Sequence, residues 1–147
     1  MGYDLGVDLG TTFVAAAISR DGRVEMCTLG NQAVVAPAVV YFTKESKLIF
    51  GEAAERRVLS DPGRVERGFK RRLGDPAPVR LGGVPHQVTA LMAEQLHDVL
   101  DAVTKVEGGP PDPTLRRSRP SSAALKPSFS SQRVTSATRG WVGRTTL

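Results

Sequence analysis

The residues best placed to do chemistry are Asp8, Gly10, Thr11 and Thr12, gathered in the run Asp8-Leu9-Gly10-Thr11-Thr12. A carboxylate, a glycine and two hydroxyls suit the gripping of a phosphate and its metal ion. Glycine lets a ligand approach the backbone closely. Consecutive N–H groups and threonine hydroxyls can donate to phosphate oxygens. The carboxylate can hold Mg²⁺, usually through water. An ordinary hairpin tip has the same composition, because Gly and Thr are common in turns.

The elements on either side present this run as a tip. Tyr3, Leu5, Val7 and Leu9 alternate with Asp4, Gly6 and Asp8, the period of a strand with one apolar face. A second apolar strand follows from Phe13 to Ile18. Asp21-Gly22 then predicts a tight hairpin into a strand from Val24 to Leu29, and Gly30-Asn31 marks the next turn. Val34 to Phe42 reads as extended, with Pro37 arguing for an edge or a bulge. Leu48-Ile49-Phe50 is a short strand, and Gly51 to Leu59 has helix-forming composition. Ser60-Asp61-Pro62-Gly63 breaks that helix. Val65 to Leu73, rich in Arg and Lys, predicts a second short helix or helical turn; Val79 to Val84 suggests a small hairpin. The clearest helix runs from about His86 to Val106. Val88, Met92, Leu96, Val99, Val103 and Val106 share one stripe, and Gly108-Gly109-Pro110-Pro111 stops it.

At 147 residues the length allows one ordinary domain. The formal charge of +5 first suggests a nucleic-acid binder, but the charge is unevenly placed. Residues 1–112 hold 13 basic and 15 acidic side chains, whereas residues 113–147 hold seven basic and no acidic ones. The basic character therefore belongs to the tail. That tail reads in Arg, Ser, Pro and Thr with no apolar period, a composition expected to be disordered. The division is thus 1–112 for the folded part and 113–147 for the tail. The abrupt switch of composition suggests a reading-frame shift near Pro113.

Cys27 is the only cysteine, so no internal disulfide is available, and a free thiol in a strand packs as a small hydrophobe. One Cys and two His give no zinc-ligand cluster; His86 and His97 receive no role. The first residues lack a charged segment followed by an apolar one, and no apolar run approaches about 20 residues. A cytoplasmic location with no membrane partner is the expectation.

The order of elements is familiar. Gly6-Val7-Asp8-Leu9-Gly10-Thr11-Thr12 resembles the first phosphate-binding motif of the DnaK-type heat-shock chaperones, members of the actin-like ATPase superfamily. Further stretches resemble that family in the same order. They are Pro37 to Phe42, Phe50 to Ala54, Phe69-Lys70-Arg71-Arg72-Leu73-Gly74, and the helix from Val88. The likeness covers residues 3 to about 112, roughly the first third of the family's nucleotide-binding domain. It implies an α/β fold, part of an actin-like ATPase lobe made of a β-hairpin sheet with helices. It also implies ATP and Mg²⁺ as cofactors and unfolded proteins as clients.

The same resemblance implies roles residue by residue. Asp8 would stand near Mg²⁺ and its water shell, and Gly10, Thr11 and Thr12 would contact the β- and γ-phosphates. Lys70 would be the catalytic lysine that helps orient the γ-phosphate and the attacking water. Without the family match, Lys70 reads as one member of a solvated basic face with Arg71 and Arg72. Phe13 departs from the family, which often has a polar residue or Tyr there. The larger departure is that no second phosphate motif and no second lobe follow, so the expectation is a nucleotide-binding fragment inactive on its own. Two alternatives stay open. One is a non-enzymatic scaffold whose basic tail engages nucleic acid or an acidic surface; it is disfavoured because the tail has no RNA-recognition motif. The other is a fragment of a small-molecule kinase of the same superfamily, for which no sugar- or acid-specific residues argue.

Overall fold

The computed structural model describes residues 2–31 and 33–113. The basic tail and the frame-shift reading fall outside the described residues, apart from Pro113. The N-terminal half begins with β1 (Asp4–Leu9) and β2 (Phe13–Arg20), paired antiparallel from Asp4↔Ser19 to Leu9↔Val14. The eight residues of β2 serve two further partners. Its C-terminal half pairs β3 (Arg23–Met26) through Ala17↔Met26, and its N-terminal half pairs β4 (Val35–Pro37) through Phe13↔Pro37. Asp21 and Gly22 close the hairpin with positive φ, as Asp-Gly predicts.

Strict alternation gives this sheet two different faces. Leu5, Val7, Leu9, Val14, Ala16 and Ile18 are buried on one side. The pairing register puts Asp4, Gly6, Asp8, Phe13, Ala15 and Ala17 on the other, with Val24, Met26 and Val35 beside them. That outer side is apolar but open: Phe13, Val24, Met26 and Val35 are all exposed.

The extended run predicted from Val34 to Phe42 is split between two sheets. The chain leaves β4 at Pro37, passes Ala38 and enters β5 (Val39–Phe42). This strand is the centre of a second sheet, flanked by β6 (Leu48–Phe50) and β7 (Val65–Arg67), both antiparallel. All four residues of β5 are buried, the pattern of a central strand covered on both faces. Helix α1 (Gly51–Glu55) follows β6 directly, and β8 (Val79–Leu81) with β9 (Val84–His86) forms the expected hairpin.

One expectation is corrected. Val65 to Leu73 is no continuous helix: Val65–Arg67 is a strand, Gly68 turns the chain at φ 59°, and only Phe69–Arg72 winds into a 3₁₀ turn. Arg and Lys give the stretch helical composition, but pairing with β5 outweighs a weak local propensity. His86 likewise belongs to β9 rather than to the long helix.

That helix, α2 (Val88–Glu107), ends at Gly108 in the left-handed conformation predicted for a glycine stop. It joins both halves. Val88 and Leu91 pack with Val40, Phe42, Phe69 and Leu81. Two turns later Leu96, Val99 and Val103 pack under the first sheet. Each fully buried Leu, Val or Phe contributes roughly 1.5–3 kcal/mol through removal from water, so both ends of α2 are held tightly. Its C-terminus is also tied to the sheet. Arg20 forms a 2.6 Å ion pair with Glu107, the Tyr3 hydroxyl donates to the Gly109 carbonyl, and the Asp112 amide donates to the Tyr3 carbonyl.

Candidate functional site

Gly10, Thr11 and Thr12 form the tip between β1 and β2, with Asp8 just before it in β1, as their spacing predicts. Gly10 admits no side chain, because a β-carbon there would run into the Phe13 carbonyl oxygen. Thr11 and Thr12 are exposed, and neither hydroxyl has a hydrogen-bond partner among the described residues. Two free hydroxyls beside a tight glycine turn leave donors available to an anion. Asp8 is half-buried one strand position before the tip, on the sheet face opposite α2. Phe13 stands on that same face and is 55% exposed, so it makes an apolar rim beside the tip.

The turn that carries Lys70 lies against this tip although it is remote in sequence, and backbone geometry brings it there. The amide of Ala38 donates to the Thr12 carbonyl at 2.8 Å, and the carbonyl of Ala38 accepts from the Gly68 amide at 3.1 Å. Ala38, 2% exposed, thus staples the β1–β2 tip to the turn that carries Lys70. Gly68 completes the approach. Its φ of 59° suits glycine, and a β-carbon at this position would lie 3.3 Å from the Thr11 carbonyl oxygen. The next residue, Phe69, is fully buried and anchors the 3₁₀ turn.

Lys70 itself is 9% exposed. Burial lowers the ammonium's pKa from its ordinary value, and the Asp8 carboxylate partly counters that shift. The two are coupled through space and make no direct ion pair among the described residues. A desolvated cation facing a carboxylate is therefore no member of a solvated basic face. By contrast, Arg72 is engaged locally, with Asp75 at 3.5 Å and the Ala77 carbonyl at 3.2 Å.

The sequence singles out Asp8, Gly10, Thr11, Thr12 and Lys70 as candidates but does not point to the backbone positions Ala38 and Gly68, which hold the tip and the Lys70 turn together. A glycine interrupting a helix-like basic run was the available signal for Gly68. No sequence signal marks Ala38.

Fitness for a metal can be judged from the donors present. Among the described residues no group of three or more Asp, Glu, His or Cys could enclose an ion. Asp8 offers one carboxylate, which suits Mg²⁺ held mainly by water and phosphate rather than by a protein cage. The donor set fits a Mg–phosphate group at the tip.

A Gly-Thr-Thr hairpin tip, a buried lysine coupled to the Asp8 carboxylate and this order of sheets and helices together define part of an actin-like ATPase lobe. The model of the Hsp70 protein family matches residues 4–94. Chaperone protein DnaK of Thermotoga petrophila is 33% identical over 104 residues, covering 68% of this chain and 17% of the relative. DnaK of Thermotoga maritima gives the same figures. DnaK of Endomicrobium trichonymphae is 33% identical over 101 residues, 63% of this chain and 16% of its own. The chain belongs to the Hsp70 family. It spans about one sixth of the length of the DnaK relatives it matches. No helix among the described residues is long and apolar enough to cross a membrane.

Proposed function

We propose that residues 1–112 are the phosphate- and Mg²⁺-facing arm of an Hsp70-type ATPase. In complete relatives this arm would serve an ATP cycle coupled to the handling of unfolded proteins. One observation carries the reading: Lys70, desolvated beside Asp8, is held against the Gly10–Thr12 tip through Ala38 and Gly68. A structural lysine gains nothing from such burial, whereas a group that must meet a phosphate does.

The roles follow from position. Thr11 and Thr12 hydroxyls would donate to phosphate oxygens at the tip, and Gly10 would let those oxygens approach the main chain. Asp8 would hold the water shell of Mg²⁺, which neutralises phosphate charge when bound. Lys70 would place a positive charge beside the transferred group and orient the water that attacks it. Half a cleft holds nucleotide poorly, because most contacts and the exclusion of water come from surfaces facing this arm. The 147-residue chain alone is accordingly assigned weak nucleotide binding and no turnover.

Calorimetric titration of the 147-residue chain with Mg-ATP tests the second half of this reading, with an expected Kd weaker than about 1 mM. Micromolar affinity, lost in Asp8→Asn, would show the cleft to be complete. The first half is tested by grafting residues 1–112 into the Thermotoga maritima relative in place of its matched stretch. Lys70→Ala is expected to cut the chimera's ATPase by about 10²-fold or more. An ATPase-active chimera indifferent to Lys70→Ala would remove Lys70 from the site.

A further inference from the structure

On the other side of the first sheet from Asp8, a cavity of about 220 Å³ lies between the edge of β2–β4, helix α1, the Gly30-Asn31 turn and the middle of α2. Its floor includes Gln95, which is 2% exposed and occupies a position on the apolar stripe of α2. The Gln95 Oε1 accepts no hydrogen bond, although such an atom costs stability when left unmet. In the present rotamer Oε1 faces protein. The terminal amide torsion of glutamine is soft and two-fold, so half a turn exchanges the oxygen and nitrogen positions.

The remaining walls define what would satisfy that oxygen. Asp98 lies one helical turn along α2 from Gln95 and Glu52 stands opposite on α1, with Arg56 as the one basic group. The charged lining is net negative by one. Val14, Phe50 and Val99 supply an apolar wall. The volume equals roughly seven water molecules.

We propose that this cavity binds a short alkylammonium group, its hydrocarbon stem on Val14, Phe50 and Val99 and its ammonium shared between the Gln95 amide oxygen and the Asp98 and Glu52 carboxylates. The group comes either from a free aliphatic amine or from a lysine side chain of another protein. The site is distinct from the phosphate tip and does not depend on it.

Saturation-transfer NMR on the 147-residue chain tests this with 1,4-diaminobutane as free amine, Nα-acetyl-lysine methylamide as side-chain mimic, and 1-butanol as neutral control. The expected result is saturable binding of at least one ammonium compound in the millimolar range, with no saturable binding of butanol. Preference for the diamine assigns a free amine, and preference for the lysine derivative assigns a protein partner. Asp98→Asn, at an exposed position, and Gln95→Met, which keeps the volume, are each expected to weaken binding at least fivefold. No saturation by about 50 mM, an equal response to butanol, or full binding in the folded Asp98→Asn variant would overturn the proposal.

Discussion

Gly68 lies against the carbonyl oxygen of Thr11, so that a β-carbon at residue 68 would come within 3.3 Å of it. This contact joins the two halves of the candidate site through main chain alone. Gly68→Ala must place an L residue at φ 59° and push against Thr11. The expected loss is about 1–2 kcal/mol in urea unfolding, and Gly68→Asn should lose less because asparagine tolerates that conformation better. An unchanged midpoint for the alanine variant would mean that the turn reorganises without cost.

Lys70 and Asp8 should be energetically coupled. Lys70→Met removes a buried charge and is expected to raise stability at neutral pH while removing the site's cation. Asp8→Asn removes the carboxylate that offsets the burial of Lys70 and should destabilise. In a double-mutant cycle read by urea denaturation, the coupling is expected at about 0.5–1 kcal/mol, since Asp8 is only half-buried. A coupling of zero would separate the two residues.

The pH dependence that Lys70 brings has a definite sign. The folded pKa of Lys70 lies below its unfolded value near 10.5. As pH rises between the two, the folded chain sheds its proton first and the unfolded chain holds more, so stability attributable to Lys70 increases. The advantage of Lys70→Met over the parent chain should therefore shrink as pH rises from neutral towards 10.5. A constant advantage across that window would contradict a desolvated ammonium.

His86 should contribute to acid sensitivity. Its ring meets Phe42 edge-on at 4.7 Å, its Nε2 is buried without a partner, and burial lowers its pKa from 6.5. The unfolded chain then takes up a proton near 6.5 while the folded chain resists it. The stabilising effect of a neutral His86 is present above pH 6.5 and is lost as pH falls through the lower folded pKa. His86→Phe keeps the ring contact and should flatten the decline of Tm between pH 7.5 and pH 5.5. An identical decline in both proteins would discharge His86 from this role.

Cys27 should react slowly. It is half-buried against the core under the first sheet, its amide donates to the Ala16 carbonyl, and burial raises the pKa of its thiol. Thiolate is the reactive form, so modification by a disulfide reagent at pH 7.5 is expected to lag a model thiol and to accelerate in urea. Equal rates with and without urea would place the thiol at the surface.

What the residues revealed in advance, and what they concealed, follow physical lines. Alternation from Tyr3 to Leu9, the Asp21-Gly22 turn and the stripe from Val88 to Val103 all appear where expected, because one buried face imposes one period. The Asp8–Thr12 tip was legible for the same reason: a strand, a glycine and a strand leave few places for the residues between them. The failures are long-range. Nothing local to Val65–Arg67 says that β5 lies alongside to pair with it, and nothing in Ala38 says that its two backbone groups serve different segments. Gln95 falls on the apolar stripe of α2, so the periodicity that found the helix hides the one polar side chain at its core.

The outer side of the first sheet has a consequence of another kind. Phe13, Val24, Met26 and Val35 form an apolar surface that no element among the described residues covers. Surfaces of this sort are what folding machinery recognises as unfinished. A member of a chaperone family that displays one is expected to be handled as a client: bound by intact relatives, soluble in their company and short-lived without them. Its lifetime in cells, with and without a functional DnaK, reads that dependence directly.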